Sequence, residues 1–89
     1  MRRSKFDIFY DMLKAIELKG GVIKPTHLLY KSNLSHSKMK EYIDILKVKE
    51  LIFEEAQKKK KFYKITDKGY GFLREFQKVK EFTLAFGFE

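Results

Sequence analysis

The chain has 89 residues, a single-domain length, so one small core is available and a second subunit would add to it. With 44% hydrophobic and 36% charged residues it has the composition of a folded soluble domain, and the absence of cysteine excludes disulfides, thiolate zinc sites and cysteine nucleophiles. The net charge of +8 favours a polyanionic partner, nucleic acid ahead of an anionic membrane.

Read from the amino terminus, Met1-Arg2-Arg3-Ser4-Lys5 runs into Asp7 without an apolar core or a small-residue cleavage site, so no signal peptide is expected. Residues 4–19 read as a helix. Phe6, Phe9, Leu13 and Ile16 recur at spacings of three and four, Ile8 and Met12 flank them, and Ser4 with Asp7 resembles a capping box. Gly20-Gly21 ends it. Val22-Ile23-Lys24 is long enough only for a small edge strand, which Pro25 closes. Thr26 is expected to cap a short helix from His27 to Lys31, and Ser32-Asn33 makes a turn with Leu34 as an apolar plug.

Ser35 caps a third helix reaching to about Lys49. Met39, Tyr42, Ile43 and Leu46 fall on one stripe of it, with Ser37, Lys40, Glu41 and Asp44 opposite. Leu51–Glu55 and Phe62–Thr66 read as strands, joined by residues 56–61 into a hairpin with Lys58-Lys59-Lys60-Lys61 at its tip. In the second strand Tyr63 and Ile65 face one way, and Phe62, Lys64 and Thr66 the other. Thr66 caps a last helix from about Asp67 to Phe86. Phe72, Phe76, Val79, Thr83 and Phe86 step along it as a short heptad seam.

Two helices about a tight turn, followed by a basic hairpin, make a helix-turn-helix with a wing. The fold class is mainly α with a small β-hairpin wing, plus a long C-terminal helix. Residues 1–66 form the winged part and residues 67–89 the C-terminal helix of the same domain. The charge divides along that line. Residues 1–66 hold the whole excess, whereas residues 67–89 carry four bases and four acids.

The sequence resembles the winged helix-turn-helix superfamily, and most closely its small archaeal DNA-binding proteins of about ten kilodaltons. The resemblance rests on Leu29-Tyr30-Lys31-Ser32-Asn33-Leu34-Ser35, Tyr42-Ile43 with Leu46, Leu51-Ile52, and Tyr63-Lys64-Ile65-Thr66-Asp67-Lys68-Gly69, in that order. It implies double-stranded DNA binding and homodimerisation through an antiparallel coiled coil of the last helix. It further implies a nucleoid-associated, cytoplasmic role as transcription regulator or chromatin-architectural protein. Many winged-helix proteins have Gly where this chain has Glu50, so either a less regular C-terminal cap or strain at Glu50 is expected.

On that footing the third helix is a recognition helix for the major groove, which is about 12 Å wide. His36, Ser37 and Lys40 would meet the DNA near the helix start, and Lys47 a phosphate. Glu41 and Asp44 repel phosphate and speak for the rival reading, a protein-docking module. Lys58, Lys59, Lys60 and Lys61 would lie on the backbone, where contacts position without reading sequence. Arg2 and Arg3 form a basic arm or a frayed end. Phe72, Phe76, Val79, Thr83 and Phe86 would dimerise, with Phe82, Leu84 and Phe88 as additions, while Tyr70 and Leu73 pack on the first helix.

The remaining aromatics, Tyr30 and Tyr42 included, are read as core. His27 and His36 lack the number and spacing of zinc ligands. Ser35, His36 and Asp44 do not assemble a triad, because Ser35 is occupied as a cap. Gly69-Tyr70-Gly71 lacks the third glycine of a dinucleotide loop, and Gly71 is expected to permit close packing. No enzyme activity, metal, cofactor, membrane or small-molecule ligand is expected.

Overall fold

A computed structural model describes residues 4–87. The elements run α1 (Lys5–Leu18), β1 (Val22–Ile23), α2 (Pro25–Ser32), α3 (His36–Val48), β2 (Ile52–Gln57), β3 (Lys60–Ile65) and α4 (Asp67–Ala85). The three strands form one antiparallel sheet in the order β1-β3-β2. The expected winged arrangement with a long last helix is therefore present.

Local chemistry sets most boundaries. Ser4 and Asp7 form the full capping box, with Asp7 N donating to Ser4 Oγ at 3.1 Å and Ser4 N donating back to Asp7 Oδ2 at 3.0 Å. Lys38 N donates to Ser35 Oγ at 3.2 Å, so Ser35 caps α3 as expected. The α2 start differs from expectation. Lys24 is the N-cap, without a side-chain bond, and Pro25 is the first helical residue. Proline suits that position because its fixed φ is helical and the N–H it lacks would be unpaired there anyway.

The core is built from Phe9, Met12, Leu13 and Ile16 of α1, Leu28 of α2, and Met39, Ile43 and Leu46 of α3. Leu51, Ile52, Tyr63, Ile65 and Leu73 complete its sheet and α4 sides, with Ile23 from β1. Phe6, expected in the α1 stripe, is 58% exposed and stands nearly perpendicular to the Phe9 ring, centroids 6.2 Å apart. It sits one turn before the core begins.

Thr66 joins three elements. Its Oγ1 donates to the Glu50 carbonyl at 2.7 Å and accepts from Gly69 N at 3.0 Å, while its own N–H reaches the Leu51 carbonyl at 3.1 Å. The α4 start is thereby pulled onto the α3–β2 junction. A Cβ on Gly69 would lie 2.3 Å from the Leu51 carbonyl oxygen and 2.6 Å from Ile65 Cγ1. Gly69, and not Gly71, is thus the close-packing glycine; a Cβ on Gly71 would meet nothing nearer than 3.9 Å. The principal extents are 49 × 27 × 22 Å, the long one consistent with an α4 of 19 residues running roughly 28 Å at 1.5 Å each.

Candidate nucleic-acid interface

The wing is tighter than the sequence suggests. Gln57 pairs with Lys60, leaving a two-residue turn of Lys58 and Lys59. Both have positive φ, 48° and 66°, the geometry of the turn whose twist matches a hairpin. A six-residue connection was expected because Lys-Lys carries no Asn-Gly signal.

Strand alternation then splits the lysine run. Tyr63 and Ile65 are buried towards the helices, and Lys61 shares their face. Lys60, Phe62 and Lys64 take the other face, where Lys64 pairs with Glu55. That hydrogen bond holds the Glu55 carboxyl below its ordinary pKa.

A groove of about 350 Å³ lies between α3 and the wing. His36, Lys40, Asp44 and Lys47 line its α3 side; Glu54, Lys61 and Tyr63 line its sheet side, with Pro25 at one end. Four of the sequence-selected residues, His36, Lys40, Lys47 and Lys61, therefore meet in one concavity. Ser37 is exposed on the first turn of α3, its Oγ 3.4 Å from Ser35 Oγ. Lys58 and Lys59 project at the wing tip, and Lys60 follows them; all three are exposed and form no ion pair among the described residues. Arg2 and Arg3 lie outside the described residues.

Glu54 is the residue sequence reasoning missed. Its Oε1 stands 3.2 Å from Lys47 Nζ and 3.8 Å from Lys61 Nζ, tying α3 to β3. Its alternation with Ile52 and Ala56 on the α3-facing side of β2 was the available signal. Burial pushes the Tyr63 phenol above its ordinary pKa; Glu54 and Asp44 push it the same way, and Lys47 opposes them. Tyr30 is a correction. It is 87% exposed rather than core, because it lies opposite Leu28 and Ser32 on α2. Tyr42 does pack, edge-on to Phe9 at 5.5 Å.

The α4 seam divides in two. Leu73 is buried and Tyr70 packs partly against the core, as expected. Phe72 and Phe76 are half-buried and stacked at 5.6 Å, and Phe76 meets Tyr10 of α1 at 5.4 Å. Tyr10 Oη also donates to Gln77 Oε1 at 2.6 Å, and Lys80 lies 4.7 Å over the Tyr10 ring. Beyond that point the helix is open. Val79, Phe82, Leu84 and Phe86 are 55–63% exposed, and Thr83 is half-buried with its hydroxyl donating to the Lys80 carbonyl. Among the described residues no helix is long and apolar enough to cross a membrane, and no cluster of metal-ligating side chains occurs.

A three-helix core with a two-stranded wing and a two-residue wing turn defines the winged-helix class. The winged helix-turn-helix family matches residues 2–84, and the chain belongs to it. Among solved structures it is similar to Sso10a-2, a DNA-binding protein from Sulfolobus solfataricus, with 23% identity, a TM-score of 0.77, and coverage of 93% of this chain and 87% of that one. It is also similar to F93 from STIV, a winged-helix DNA-binding protein, at 19% identity, TM-score 0.78, and coverage of 90% and 92%. A third is BpsR of Bordetella bronchiseptica, whose DNA binding is regulated by 6-hydroxynicotinic acid, at 16% identity, TM-score 0.74, and coverage of 83% of this chain and 54% of that one. At these identities the likeness is one of fold. No curated protein matches the chain.

Proposed function

We propose that this chain is a non-enzymatic, double-stranded-DNA-binding homodimer that acts on the nucleoid as a transcription regulator or a chromatin-architectural protein. The observation that carries the reading is the gathering of His36, Lys40, Lys47 and Lys61 around one groove, continued by the exposed Lys58 and Lys59 at the wing tip. Ser37 and Lys40 would approach base edges in the major groove, and the wing lysines would neutralise phosphates. The DNA-binding relatives of the same fold support the partner. Residues 1–66 would carry the DNA face, and residues 67–89 the dimer contact through Val79, Thr83 and Phe86, with Phe82 beside them. Phe72 and Phe76 would border that contact while packing on their own α1. An exposed apolar stripe of this kind on so small a chain favours a second copy as its cover.

A second reading has one observation behind it. The α3–wing groove holds three lysines against the two acids Asp44 and Glu54, and Glu41 faces outward, so a protein-docking role would use the same face. A gel shift with mixed-sequence duplex at moderate salt separates the two. Retardation that single-stranded competitor does not abolish supports the duplex reading. No retardation leaves the docking reading, and preference for the single strand overturns the choice of partner.

A further inference from the structure

The groove presents less positive charge than its lysines suggest, and one side chain is responsible. Glu54 brings a single carboxylate oxygen to 3.2 Å from Lys47 Nζ and 3.8 Å from Lys61 Nζ. The side chains are 38% exposed for Lys47, 34% for Glu54 and 52% for Lys61, so the cluster is open to an incoming ion. Ion pairs this open add little to stability. What the carboxylate changes is the charge on offer, because two ammonium groups sharing one carboxylate present one net charge. A carboxylate oxygen and a phosphate oxygen accept from lysine in the same way. Glu54 therefore fills the place that a backbone phosphate would take between α3 and the wing. Asp44, on the same groove, adds to the repulsion of a loosely placed strand.

We propose that Glu54 is an internal counter-anion that withholds Lys47 and Lys61 from phosphates met at random, so that only a duplex seated fully in the groove recruits them. The proposal rests on the DNA-binding reading above. It makes Glu54 a specificity-determining residue, which lowers affinity for arbitrary duplex more than for a well-seated site, as opposing charges at interfaces do.

The test uses the whole chain and a random-sequence duplex, titrated through a potassium chloride series by fluorescence anisotropy. Glu54→Gln keeps the shape and removes the charge. Each lysine newly engaged with phosphate adds about −0.9 to the log–log salt slope, so the slope should steepen by about one to two units per protomer. Affinity at moderate salt should rise roughly tenfold, in line with the steepness of such salt dependence. Lys47→Met should cost about one unit more of the slope in the Glu54→Gln background than in the wild-type background, a coupling that a double-mutant cycle reads directly. Unchanged slope and affinity in Glu54→Gln, or weaker binding, overturns the proposal. So does a loss on Lys47→Met that is the same in both backgrounds. A wild-type chain that ignores duplex altogether sinks the DNA-binding reading itself, whereas a wild type that binds steeply and is matched by Glu54→Gln sinks only the counter-anion role.

Discussion

Glu50 holds a positive φ of 61° at the position that closes α3. Its N–H reaches the Lys47 carbonyl at 3.0 Å and the Leu51 N–H reaches the Leu46 carbonyl at 2.9 Å, the paired bonds of a Schellman cap. An L-residue in this conformation costs roughly 1–2 kcal/mol, and glycine's extra unfolded-state freedom returns about 0.4–1 of that. Glu50→Gly should therefore stabilise the fold by roughly 0.5–1 kcal/mol and raise the melting midpoint by a few degrees. A lower midpoint in thermal unfolding would show that the side chain carries something the cap geometry does not reveal. Gly69→Ala should act the other way. The new methyl would press on a backbone oxygen that cannot swing aside, so a loss of about 2 kcal/mol or more in denaturant unfolding is expected. The first of these positions was legible, because the resemblance to winged-helix proteins leads one to expect glycine where Glu50 stands. The second was not. Gly69 and Gly71 share one sequence context, and only the approach of Leu51 and Ile65 tells them apart.

The elements were legible where a side chain bonds its own backbone. Ser4, Ser35 and Thr66 each cap the helix assigned to them, because short-range hydrogen bonds need no knowledge of the fold. The wing was legible as a hairpin but not in its register. Two lysines occupy the left-handed turn that Asn-Gly would favour, so composition concealed a two-residue loop inside a six-residue basic stretch. The same strain yields an expectation. Replacing Lys58 and Lys59 together by Asn and Gly should raise thermal stability by about 1 kcal/mol or more. It should also weaken binding to every duplex about equally, since contacts to phosphate do not read sequence. Unfolding and anisotropy measured on one preparation check both halves. Stability gained with binding unchanged would remove the wing tip from the proposed interface. The cross-element pairing of Glu54 with Lys47 and Lys61 escaped the sequence because it joins α3, β2 and β3 in a way no local pattern encodes.

For the molecule as a whole, α1 accounts for part of the α4 seam and leaves the rest uncovered. Tyr10 engages Phe76 and Gln77, while residues 81–86 are exposed apart from Thr83. Sequence periodicity marked the full stripe, but it did not separate the turns that pack within the chain from those beyond it. That separation depends on the reach of α1. If the outer turns hold two copies together, Phe82→Glu with Phe86→Glu should yield a monomer in sedimentation velocity, with little change in helix content. Tyr10→Ala should leave the oligomer in place. A double variant that sediments like the wild type would contradict the proposed contact. Duplex binding by such a dimer rests on counterion release from both protomers. The most direct measurement is the duplex affinity of the unmodified chain across a salt series. If each protomer meets about four phosphates, the log–log slope should lie near −7, at about −0.9 per contact. A slope close to zero would contradict a phosphate-facing groove and wing.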